Sequence, residues 1–178
     1  MTIYVGGTRI RLIKDNLAIA IEAALDSLGW FDEDRVHRPV QVIAEQFDPL
    51  VEIVPNIVAV TIEDIDYMEL EMGSDLEENR LTTFIDIFAE NTAIGQHLTG
   101  DVVDFLRGKF TQINPEQVLG VYDLGQATPS FLFNCFYEDF EVNNSRSWDL
   151  PYNKYWWTIG VDIIDRYMND TESLPRIQ

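Results

Sequence analysis

Residues 57–62 read Ile-Val-Ala-Val-Thr-Ile, a nearly continuous run of apolar and β-branched side chains. Such a run has no polar face to turn to water, so it belongs in a strand covered on both sides. Around it, from Val40 to Val142, the dominant period is two. Val40, Val42 and Ala44 alternate with Gln41, Ile43 and Glu45, and Met68, Leu70 and Met72 alternate with Tyr67, Glu69 and Glu71. Gly73-Ser74-Asp75 interrupts the pattern before Leu81 to Ala89 resumes it, with Leu81, Ile85 and Ile87 on one side and Phe84 and Phe88 on the other. Two strands flanking a polar, Gly-containing loop predict a hairpin with an extended tip.

Two segments break the period of two. Ile10, Ile13, Leu17, Ala20, Ile21, Ala24 and Leu28 recur at three- and four-residue spacing, which predicts one amphipathic helix stopped at Gly29. Ile94, Leu98, Val102 and Phe105-Leu106 predict a second, capped at Asn91 or Thr92, with Gly100 weakening its interior and Arg107 and Lys109 complementing its C-terminal dipole. The last third returns to strands. Val118 to Leu124 is short; Leu132 to Val142 alternates, with Phe131, Phe133, Cys135 and Tyr137 opposed to Asn134, Phe136, Glu138 and Phe140. Tyr155, Trp157, Ile159, Val161 and Ile163 then alternate with Trp156, Thr158, Gly160 and Asp162. The expected fold is α+β: a mostly antiparallel sheet of about five to six strands with two helices packed on one face. With no repeat, linker or low-complexity segment, residues 1–178 read as a single domain, with a loose tail over 169–178.

Charge narrows the function. Twelve Lys and Arg stand against 31 Asp and Glu, a formal net charge of −19. A protein that grips nucleic acid through counterion release needs a basic patch, and attraction to anionic lipid needs the same. At 46% apolar and 12% aromatic residues the chain is too hydrophobic for an acidic disordered tail. The start, Met1 to Lys14, lacks the apolar core of a signal peptide, and no apolar run reaches the roughly 20 residues that span a bilayer. The lone Cys135 fits a reducing compartment. A soluble protein, made and used without export, is expected.

No pattern demands catalysis. His37 and His97 have no HxxE, HExxH or paired-Cys partner, and both read as surface residues. Cys135 alternates with apolar neighbours and reads as core. There is no GxSxG elbow, no GxxxxGK[ST] loop and no dinucleotide fingerprint. Asp64 and Asp66 lack the Gly and Glu that complete a calcium loop. Neither an enzyme, a cofactor nor a metal is expected.

The acids are unevenly placed. Glu63, Asp64, Asp66, Glu69, Glu71, Asp75, Glu77 and Glu78 fall within sixteen residues that hold no Lys or Arg. Alternation puts Glu69 and Glu71 on one face, which is either a solvated hairpin or a shared acidic surface such as the wall of a ring. Trp148, Tyr152, Tyr155, Trp156 and Trp157 supply aromatic surface for an assembly interface or for covering the chain's own sheet. Trp156 points away from Trp157 and cannot share its core face.

The stretch from Ile57 to Gly108 resembles the tail terminator (tail completion) proteins of tailed bacteriophages. The resemblance is carried by Arg80, Phe84, Ile85, Asp86, Ile87, Phe88, Ala89 and Asn91 in a strand, followed at once by Ala93, Leu98, Asp101, Val102, Asp104, Leu106 and Gly108 in a helix. The helix Ile10 to Leu28 and the closing YWWTIGVDIIDRY are similar to members of the same group, so the resemblance covers roughly residues 9–168. It implies a non-catalytic virion protein, assembled in the host cytoplasm. Such a protein forms a homo-hexameric ring on the last ring of the tail tube, ends tube polymerisation and joins the tail to the head-tail connector or stopper. DNA would pass through an acidic lumen without specific binding. On that reading Glu69, Glu71, Asp75, Glu77 and Glu78 face the lumen or the tube, and Trp148, Tyr152 and Trp156 serve interfaces. Related expectations are a connector, stopper or tail-tube subunit; an acidic module that docks on basic proteins is a different class.

Overall fold

The computed structural model describes residues 6–31, 40–46, 56–69, 76–109, 117–145 and 155–168. The elements run α1 (Gly6–Ser27), β1 (Gln41–Ile43), β2 (Asn56–Glu69), β3 (Leu76–Ala89), α2 (Thr92–Leu106), β4 (Val118–Asp123), β5 (Ser130–Ser145) and β6 (Tyr155–Met168). The strands form one six-stranded sheet in the order β1-β2-β3-β6-β5-β4. Only β1 and β2 are parallel; every other pair is antiparallel. Both helices pack on one face, as the sequence predicts, over a core that includes Ile13, Leu17 and Ile21 of α1, Leu98, Val102 and Phe105 of α2, and Val58, Ile85, Ile159 and Ile163 of the sheet. Among the described residues no helix is long and apolar enough to cross a membrane.

Both helices end on glycine. Gly29 adopts φ 80° and Gly108 φ 68°, left-handed values that suit a residue without Cβ. The amides of Trp30 and Lys109 reach back to the carbonyls of Leu25 and Asp104, closing a Schellman turn at each end. Trp30 is then fully buried and donates its Nε1 hydrogen to Asp101 of α2 at 2.8 Å, which ties the two helices together. At the start of α2, Asn91 Oδ1 accepts from the Ile94 amide at 2.9 Å, the cap expected there.

The segments expected as separate strands at Ile57–Ile62 and from Tyr67 onward are one strand, β2. A bulge at Glu63 joins them. One extra residue reverses the alternation, so Val58, Val60 and Ile62 face the helices before the bulge and Ile65 after it. The same device corrects the reading of β5. There a register shift skips Leu132, which carries Phe131 to the open face, where it is 54% exposed beside Tyr122. A second shift between Glu138 and Glu141, with Asp139 at φ 44°, turns Phe140 toward the helices instead of away from them.

Strand β4 is an edge strand, and α1 guards it. The Asn16 side chain accepts from the Tyr122 amide and donates to the Tyr122 carbonyl, both at 3.0 Å. A buried amide thus stands in for a neighbouring strand at that point. The tail over 169–178, the start Ile3–Val5 and the Asn114-Pro115 turn lie outside the described residues.

Candidate functional site

The sheet face opposite the helices is where function-bearing residues gather. No described helix covers it. Its apolar part is small: Ile57, Ala59 and Phe88, with Ile43 and Trp156 against them. Strand register brings seven carboxylates to this face, those of Asp64, Asp66, Glu78, Asp86, Glu138, Glu141 and Asp162, against two guanidiniums, those of Arg80 and Arg166.

These groups form a connected polar layer. Asp86 Oδ1 accepts from Trp156 Nε1 at 2.8 Å and from Thr158 Oγ1 at 2.6 Å. Arg80 lies among acids of two neighbouring strands, with its terminal nitrogens 3.4 Å from Glu138 and 3.8 Å from Asp139 of β5 and 3.5 Å from Asp162 of β6. Thr82 donates to Asp162 at 3.3 Å. Arg166 Nε donates to Glu78 at 2.7 Å, and that hydrogen bond, with the charge of Glu78, raises the Arg166 pKa. Half-exposed aromatics border the layer toward β4: Tyr122 and Phe136 are each 40% exposed.

The residues picked out in sequence are placed unevenly. Glu69 and Glu77 are direct cross-strand partners near the end of the β2–β3 hairpin. Glu78 departs from the picture of an acid without a basic neighbour. It is 6% exposed and engaged by Arg166, which stands opposite it on β6 and, 88 residues away in sequence, is invisible to a local charge count. Glu71, Asp75, Trp148 and Tyr152 lie outside the described residues. Trp156 is on the open face, opposite to Trp157 as expected, half-buried and stacked on Phe88 with ring centroids 5.5 Å apart. Missed in sequence was the layer centred on Arg80. The alternation of Arg80, Thr82, Phe84, Asp86 and Phe88 could have shown it, since those five share one side of β3.

On the helix side a buried carboxylate is held in an ion pair. Arg9 of α1 grips Asp165 of β6 with two hydrogen bonds, at 2.5 and 2.7 Å, and lies 3.5 Å above the Phe133 ring. Cys135 is buried beside this pair, and burial, with the Asp165 charge second, pushes its thiol pKa well above the usual value. A thiol so placed is a poor nucleophile. His97 is on the exposed side of α2, beside Trp30 and Asp101, and His37 is outside the described residues. Among the described residues no three of His, Cys, Asp and Glu converge to hold a metal ion. Neither the models of known families nor the curated proteins compared with this chain give a match.

Proposed function

We propose that the chain is a structural virion protein of the phage neck. In this reading six copies form a ring that caps the last tail-tube ring, ends its polymerisation and joins the tail to the head. The observation that carries the reading is the acid-rich sheet face that no described helix covers, seven carboxylates to two guanidiniums. A ring that passes DNA must not hold it, and a wall of that sign repels phosphate. The cross-links within the face suit a wall more than a pocket: Asp86, Arg80 and Glu78 are tied to neighbouring strands, so the charge is carried on a rigid surface. Support also comes from the resemblance, whose strand motif is β3 running directly into α2.

Within this reading the lumenal role passes from the hairpin acids alone to the open face as a whole, with Asp64, Asp66 and Glu141 its most solvent-facing members. Cyclic assembly requires each copy to offer two different, complementary surfaces. The test is electron microscopy of particles made without this protein. Overlong or headless tails support a terminator. Normal tails with unjoined heads favour the neighbouring connector or stopper role, and normal particles would sink the assignment to the neck altogether.

A further inference from the structure

The buried face of α1 carries a polar side chain, Asn16. It lies between Ile13 and Leu17, both fully buried, and is itself 4% exposed. Asparagine is a poorer helix former than alanine, and a buried amide is destabilising unless its hydrogen bonds are made. Here its two donors and its acceptor are all used. Nδ2 donates to the Leu12 carbonyl at 2.8 Å and to the Tyr122 carbonyl at 3.0 Å, and Oδ1 accepts from the Tyr122 amide at 3.0 Å. The bond to Leu12 stays within the helix. The other two hold the backbone of β4.

In an antiparallel strand both backbone groups of alternate residues point to the same side. At Tyr122 that pair of groups is taken up by the Asn16 side chain, so whatever else adjoins β4, no strand pairs with it there. Strand β4 reads Val-Leu-Gly-Val-Tyr-Asp, with one charge and no proline. Such a segment pairs readily between copies when its edge is bare. It is also self-complementary. With Val121 opposite its own counterpart in an antiparallel pair, Tyr122 of each copy would exchange both backbone bonds with Gly120 of the other. The two Asp123 carboxylates would then lie about 14 Å apart along the strands, so charge gives this edge little protection. We propose that Asn16 is an autoinhibitory contact: by holding the backbone groups of Tyr122, it keeps β4 from pairing with β4 of a second copy. The contact goes beyond the ring reading. A ring joins two different surfaces, whereas β4 on β4 joins a surface to itself and stops at two chains.

The test uses the full chain and an eight-residue peptide with the sequence of residues 117–124. Asn16→Ser keeps a hydroxyl that can return to the Leu12 carbonyl but is too short to bridge Tyr122. Asn16→Leu keeps the volume and removes every bond; thermal melting shows which variant is folded. The native protein is expected not to bind the peptide and to exchange the Tyr122 amide hydrogen slowly, two readouts that need no variant. In a folded variant that amide should exchange at least tenfold faster, and the peptide should bind and slow it again. A two-chain species should also form that the native protein lacks at the same concentration and salt. A peptide with proline in place of its glycine should bind at least tenfold more weakly, since proline has no N–H to give. Peptide binding by the native protein, rapid exchange of its Tyr122 amide, or equal binding of the two peptides overturns the proposal. So does a folded variant that fails to bind the peptide or keeps the native mass. Tail morphology and rings of the native protein bear on the ring reading alone.

Discussion

At the scale of single residues, the buried polar groups on the helix side set the sharpest expectations. Asp165 is 1% exposed and holds Arg9 through two hydrogen bonds. Removing one partner of a buried pair strands the other charge, a loss of about 3–5 kcal/mol. Asp165→Ala is therefore expected to lower chemical-denaturant stability by that amount, whereas Arg11→Ala, at an exposed pair on the same helix, should change it by less than about 1 kcal/mol. Beside this pair, burial raises the pKa of both Cys135 and Tyr137 above their usual values of 9.0 and 10.0. An acid whose pKa is higher in the folded state loses its proton first in the unfolded chain. Stability is then unaffected by these groups below about pH 9 and falls as pH rises above it, by up to about 1.4 kcal/mol per unit for each group. The Tyr137 hydroxyl has no hydrogen-bond partner among the described residues, so Tyr137→Phe should melt at least as high as the native protein at pH 7. It should also lose less between pH 9 and 11. A thermal-melting series over pH 7–11 measures both.

At the scale of elements, the seating of α2 on the sheet is the contact most open to test. Gly95 faces the indole of Trp157, and a Cβ there would overlap the ring. Gly100, one turn and a half further on, faces open space. Two glycine-to-alanine changes in one helix should thus act in opposite directions. Gly95→Ala is expected to cost about 1–3 kcal/mol through overpacking, and Gly100→Ala to add about 0.4–1 kcal/mol through helix preference. Denaturant midpoints compare the two directly. The sequence made some of this legible and hid the rest. Both helices, their glycine stops and the Asn91 cap follow from local chemistry, and so were readable. Which glycine mattered was not, because Gly95 is fixed by Trp157 sixty-two residues away and helix propensity treats it like Gly100. The bulges at Glu63, Leu132 and Asp139 were also hidden. Each reverses inside and outside along its strand, and only pairing with the next strand shows where the extra residue falls. For the same reason the cation opposite Glu78 and the layer around Arg80 emerge only with register, although the acid excess itself was plain in the composition.

At the scale of the whole molecule, charge governs assembly. Each copy carries a formal −19, so bringing several together is opposed by their mutual repulsion and aided by screening. Ring formation should rise with salt between about 0.05 and 0.5 M, the reverse of assembly driven by opposite charges across an interface. Duplex DNA should not bind at any of these concentrations. The central claim is that copies of this chain close into a ring. Its most direct test is electron microscopy of the purified protein, concentrated and at raised salt, with mass measured in the same sample. The expected result is closed rings of about 123 kDa, six times the 20.5 kDa chain. A single-chain mass at every concentration and salt would contradict it.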